Sequence, residues 1–165
     1  MMIGGYNMNK YMEIASNLAL DNLFTKAGGP FGACIVKDGK IIGRGSNNVL
    51  KNNDPTAHAE IMAIRDACNN IGSHNLSGSI IYTNCYPCPM CLSAIIWANI
   101  KEIYYGNTKE DVSKIGFRDD YMYEFIDKLN QNKINDEDVK LIQIDRDNTI
   151  KVLDKYNNQE NKTIY

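Results

Sequence analysis

No stretch of this 165-residue chain approaches the roughly 20 consecutive apolar residues that a membrane-spanning helix requires. Its first ten residues, MMIGGYNMNK, lack a charged region followed by an apolar run, so no secretory leader is expected. Excess charge of either sign is missing too. Eighteen Lys and Arg stand against 20 Asp and Glu, a formal net charge of -2. A protein that grips a nucleic-acid backbone carries a basic patch; here the cations are scattered, and the densest polar stretch, Asn130 to Asp138, is mixed in sign. The chain has no internal repeat and no Pro/Gly/Ser linker. These absences favour a small substrate, with no membrane and no nucleic acid as partner, in the cytoplasm. The length suits one domain whose core needs no disulfide staples.

A disulfide framework is equally absent. The five cysteines are odd in number, and Cys85, Cys88 and Cys91 fall within seven residues. Such spacing, with a histidine upstream, reads as a metal site in a reducing compartment. Cys34 and Cys68 read as small buried hydrophobes.

What is present alternates in type. The first nine residues are expected to be an N-terminal extension, and a single domain is expected from residue 10 to residue 165. Helical spacing of Tyr11, Ile14, Ala15, Leu18, Ala19 and Leu23 stops at Gly28-Gly29. Two apolar runs, Phe31 to Val36 and Lys40 to Gly43, flank Asp38-Gly39, a hairpin signal. A polar loop, Asn47 to Asp54, leads into a helix from about Thr56 to Asn69. Strands are predicted at Ser79 to Asn84, Glu102 to Gly106 and Val139 to Ile144. Helices are predicted at Pro89 to Ala98, Asp120 to Leu129 and Asp147 to Tyr156. A hairpin followed by alternating helices and strands implies an α/β fold, a mixed sheet with helices on both faces.

Two segments carry chemistry. His58-Ala59-Glu60 opens one predicted helix, and Pro87-Cys88-Pro89-Met90-Cys91 opens another. One His and two Cys make three zinc ligands, leaving a position for water, as a catalytic Zn2+ site does and a closed structural site does not. Free N–H groups at a helix start favour the thiolate that binds metal. Glu60, two residues past His58, is poorly placed as a ligand and well placed to move protons. HxE followed by PCxxC is the signature of zinc nucleobase deaminases, and both halves are complete here. Plainer readings exist: a helix-start histidine, core cysteines, or a closed zinc knot with Cys85 as fourth ligand. Cys85 lies on the strand side of Pro87 and is expected to point away.

With Gly28-Gly29-Pro30-Phe31-Gly32-Ala33, Asn53 to Glu60 and Pro87 to Cys91, the chain resembles bacterial guanine deaminases of the cytidine-deaminase-like fold. The resemblance also rests on Ser93 to Ala98, on Ile115 to Asp120 and on the terminal tyrosine. It implies a three-layer α/β/α fold with a mixed five-stranded sheet. It implies conversion of guanine to xanthine and ammonia with one catalytic Zn2+ per subunit. It further implies a homodimer in which the C-terminal segment, about 147–165, is swapped so that Tyr165 closes the partner's pocket. Carried over by position, Glu60 and Asp119 are catalytic, and Asn47, Phe31, Ala59, Trp97 and Tyr165 bind substrate. Two departures stand out. Arg118 sits where an acid is usual, so Asp119 and Asp120 compete for the second acid, and Tyr86 sits where Glu is usual. Phe31 and Trp97 also read as core residues, Asn47 as a turn former and Tyr165 as a frayed end. Competing functions are a transfer-RNA adenosine deaminase, another small-molecule deaminase such as one for cytosine, and a zinc-stabilised module without chemistry.

Overall fold

A computed structural model describes residues 9–164. Contacts divide the chain into two compact units, one ending at Glu124 and one beginning at Phe125. The first unit begins with α1 (Lys10–Thr25), whose start is capped by the Asn9 side chain accepting from the amides of Tyr11 and Met12. The helix ends before Gly28, because Lys26 itself takes the left-handed turn at φ 54°. Then come β1 (Gly32–Lys37) and β2 (Lys40–Ser46), joined by the expected turn, with Asp38 at φ 49° and Gly39 at φ 73°. A short α2 (Val49–Asn52) occupies part of the loop expected at 47–54. There follow α3 (Ala59–Ile71), β3 (Ser79–Cys85), α4 (Pro89–Trp97), β4 (Glu102–Asn107), α5 (Lys109–Lys114) and α6 (Asp119–Asn130), the last crossing into the second unit.

The sheet is mixed, in the order β2-β1-β3-β4, with β1 antiparallel to both neighbours and β3 parallel to β4. Alternation along β1 builds two cores. Ala33 and Ile35 face the side carrying α3 and α4, among Ala59, Ala63, Ala67, Ile81 and Ile95. Cys34 and Val36 face the side carrying α1, with Tyr82, Tyr11 and Ile14. That is the three-layer arrangement expected. Ile35, Ile81 and Ile95 are fully buried, and truncating any of them to Ala costs roughly 2–5 kcal/mol. Cys34 and Cys68 pack as hydrophobes, one buried and one partly so.

The position of α3 is set by glycine. A Cβ on Gly45 would lie 2.2 Å from the Ala59 carbonyl oxygen, and one on Gly43 2.5 Å from that of Ala63. The helix therefore sits directly on the main chain of β2, and Ala59, Ala63 and Ala67 are small for the same reason.

The second unit holds the rest of α6 and α7 (Arg146–Asn157). Asp138 is tied to Lys128 by an ion pair at 3.0 Å and accepts from the Asn135 amide at 3.1 Å. The five-stranded sheet is corrected here: four strands form among the described residues, and 139–144 is not one of them. A strand needs a neighbouring edge for its N–H and C=O groups and a face to bury. Val139, Leu141, Ile142 and Ile144 are instead 58–77 % exposed. No helix among the described residues is long and apolar enough to cross a membrane.

Candidate active site

His58 and Cys88 occupy equivalent places. Each is the extended residue immediately ahead of a helix, His58 at φ −68°, ψ 160° before α3 and Cys88 at φ −65°, ψ 167° before α4. The two helices pack together on one face of the sheet. Their N-termini converge, bringing unpaired N–H groups and positive dipole ends to one point. Pro89 begins α4, where a missing N–H costs nothing, and Cys91 follows one turn in.

Ligand atoms of His58, Cys88 and Cys91 all lie within 4.8 Å of one another, and Cys88 Sγ is 3.7 Å from His58 Nδ1. A tetrahedral ion with bonds of about 2.0–2.3 Å separates its donors by about 3.3–3.8 Å. The donors therefore fit zinc in both type and spacing. The Cys91 thiol is close enough to Cys88 to hydrogen-bond to it. That hydrogen bond and the one to His58 hold Cys88 down to about 4, against the opposing effect of burial. The same hydrogen bond, with burial, pushes Cys91 far above the ordinary thiol range. His58 is raised, chiefly by its hydrogen bond to Cys88. Cys85 is not in the group: its sulfur accepts from Asn107 Nδ2 at 3.5 Å. Three donors, not four, are what the described residues assemble.

Glu60 is buried beside the ligands, and loss of solvent pushes its carboxyl above the usual range. Its Oε1 accepts from the hydroxyl of Thr83, on β3, at 3.3 Å. Thr83 carries no motif and was not singled out in the sequence.

A cavity of about 470 Å³ opens over this group, the scale of a small-molecule site. One wall comes from the segments after α1 and after β2. Asn47 is buried, its Oδ1 accepts from the Val49 amide at 3.1 Å, and its carbonyl accepts from Asn22 at 2.7 Å. Gly28 makes room for that amide, since a Cβ there would lie 2.0 Å from Asn47 Oδ1. Phe31 packs edge-on against Phe117 with centroids 4.8 Å apart. The opposite wall is the start of α6, with Arg118 and Asp119. Burial, and then the Cys88 charge, raise the Asp119 carboxyl. Asp120 turns away from the cavity to accept from Ser113. Of the two competing acids, Asp119 alone lines the cavity.

Two expected substrate residues do not line the cavity, and a third lies outside the described residues. Trp97 ends α4 and is 67 % exposed outside the cavity lining, on the face of the last turn opposite the buried Ile95 and Ala98. Ala59 is fully buried in the core, with its carbonyl against Gly45, and does not line the cavity. Tyr165 lies outside the described residues. Conversely, Phe117, Tyr86 and Met122 line the cavity. Of these, Met122 carried no signal in the sequence.

Residues 6–107 match the model of the cytidine and deoxycytidylate deaminase zinc-binding region. The guanine deaminase of Bacillus subtilis is 49 % identical over 122 residues, 74 % of this chain and 78 % of that protein. The X-ray structure of guanine deaminase from Bacillus subtilis superposes with a TM-score of 0.86 at 42 % identity, over 96 % of this chain and 99 % of that one. A tRNA-specific adenosine deaminase of Buchnera aphidicola is 44 % identical over 88 residues, which span 53 % of this chain and 58 % of that protein. The signature motifs, the three-donor group and these likenesses agree: the chain belongs to the cytidine and deoxycytidylate deaminase zinc-binding family, among the guanine deaminases.

Proposed function

We propose that the protein deaminates guanine hydrolytically, giving xanthine and ammonia, with zinc held by His58, Cys88 and Cys91. The observation that carries this is one cavity in which a three-donor metal group, the buried Glu60 and the facing Asp119 meet. Zinc in such an open N/S site acts as a Lewis acid and makes hydroxide available near neutral pH. Glu60 takes the proton of the attacking water, passes it to a ring nitrogen, and delivers a proton to the amine as it leaves. The donor from Thr83 holds one of its oxygens, leaving the other to the reaction. Asp119 accepts a hydrogen bond from the amino group being lost. Asn47 presents an amide edge to the purine, and Phe31 with Phe117 gives the flat base an aromatic wall.

The protein would work as a homodimer in the cytoplasm, with segment 147–165 of one subunit closing its partner's cavity through Tyr165. Supporting this, Leu141, Ile142, Ile144, Val152, Leu153 and Ile164 are each more than 60 % exposed, an apolar surface of the kind that calls for a partner.

An ammonia-release assay on zinc-loaded protein with guanine, adenine, cytosine, guanosine and an anticodon stem-loop tests the substrate. Guanine should be preferred; activity confined to the stem-loop would instead identify a transfer-RNA editing enzyme.

A further inference from the structure

The acid facing the metal group stands on a weakly supported segment. Between α5 and α6 the chain passes through Gly116 at φ 91°, and residues 114–118 are exposed. Where Asp119 points is fixed by contacts of its neighbours. Phe117 packs against Phe31, Ser113 donates to Asp120, and Met122 packs on Ile61, Cys88 and Cys91. A further set of contacts gathers around a single cation. Lys109 Nζ lies 3.8 Å from the ring centroid of Tyr123 and 4.6 Å from that of Tyr86. The Tyr123 hydroxyl donates to the Pro87 carbonyl at 2.9 Å. Tyr86 is braced in turn, with its ring against Tyr105 at 5.0 Å and its amide donating to the Asn107 carbonyl at 2.8 Å.

We propose that Lys109 and Tyr123 are positioning residues. Together with Tyr86 they form a cation–π latch that ties α5 and α6 to the loop carrying Cys88, and so hold Asp119 at the cavity. Asp119 and Tyr123 are four residues apart and share one face of α6, so a contact that fixes Tyr123 also fixes the carboxylate one turn before it. A lysine between two rings gains attraction from both faces, and this one is half-buried, which strengthens it. Lys109 begins a helix that is separately secured, because Thr108 and Asp111 cap it reciprocally. The latch therefore adds a second tie across Gly116, beside the Ser113–Asp120 hydrogen bond and the packing of Met122, between one capped helix and the helix that carries Asp119.

This rests on the role proposed above for Asp119, and the experiment separates the two. Lys109→Met keeps the stem and loses the charge; Tyr123→Phe keeps the ring and loses the hydroxyl. On zinc-loaded protein each should lower kcat for guanine about two- to thirtyfold with metal content unchanged. Lys109→Arg should restore most of it. In an Asp119→Asn background the further loss should disappear, since the latch would have no carboxylate left to place. Equal fold losses in both backgrounds, or wild-type kcat in Lys109→Met, would overturn the proposal. Amide hydrogen exchange across 115–123 gives a reading independent of turnover. It should quicken in Lys109→Met and Tyr123→Phe, and unchanged exchange would also overturn the latch. Failure of the guanine reading looks different: the wild-type protein would release no ammonia from guanine, whatever the exchange rates show.

Discussion

The hydroxyl of Thr83 reaches across from the centre of the sheet to donate to Oε1 of Glu60 at 3.3 Å, with both side chains buried. It joins β3 to the first turn of α3 and gives the buried carboxylate a fixed orientation. Glu60→Gln should lower guanine turnover by roughly a hundredfold to ten-thousandfold, the range for loss of a proton-transfer group. Zinc content by metal analysis should stay at one per chain. Thr83→Val, nearly the same shape without the donor, should lower kcat less, with KM and zinc little changed. A Glu60→Gln variant that still turns over guanine would mean protons travel by another route.

Gly28 and Asn47 give a second test. A methyl group at 28 would occupy the space of the Asn47 amide oxygen, 2.0 Å away. Gly28→Ala should therefore push Asn47 aside and raise KM for guanine about tenfold, the value of one well-placed hydrogen bond. Zinc stoichiometry should change little, while thermal unfolding should come somewhat earlier, since the methyl also meets the buried Asn47 carbonyl at 2.7 Å. Wild-type KM would remove Asn47 from substrate recognition.

A swapped tail, as proposed above, predicts a separation of properties. Deleting residues 158–165 should leave zinc content and secondary structure intact and cut turnover by roughly tenfold or more, because an open cavity admits water. Mixing the truncated chain with an Asp119→Asn full-length chain should recover activity, if each supplies what the other lacks. Full activity of the truncated chain alone would end the idea.

Asp138 sets a pH dependence of stability in the second unit. The Asn135 amide and then the Lys128 ammonium hold its carboxyl below the ordinary value of 3.8. A depressed carboxylate stabilises the fold above the unfolded-state pKa, and that contribution is lost as pH falls through the folded-state value. Asp138→Asn should thus lower stability at pH 7, seen as faster amide exchange across 125–138. The difference from wild type should shrink as pH drops below about 4. A gap that persists at pH 2 would mean the residue acts through shape and not charge.

The metal group was legible in the sequence because its members are close along the chain or mark a helix start. Cys88 and Cys91 sit one turn apart, and His58 precedes a periodic stretch. Asn47, Phe31 and Asp119 came from resemblance, and the fold brings all three to one cavity. What stayed illegible was whatever the fold gathers from afar. Thr83 and Glu60 are 23 residues apart, and Tyr123 and Pro87 are 36 apart; no local pattern announces either pair. The alternation in Val139 to Ile144 misled for a different reason. It records that a segment needs an edge and a buried face, not that the same chain supplies them.

Gly43 and Gly45 reach further than the packing of one helix. Because α3 rests on bare main chain, any methyl added beneath it would tilt His58 and Glu60 together, since what it meets is backbone and the short Cβ of Ala67, neither of which can yield. Tailoring this scaffold to another heterocycle is thus closed from below and open only at the rim, along 28–31, 47–50 and 115–122. Chemistry and recognition can diverge independently, because the seat that fixes the one has no freedom to follow the other.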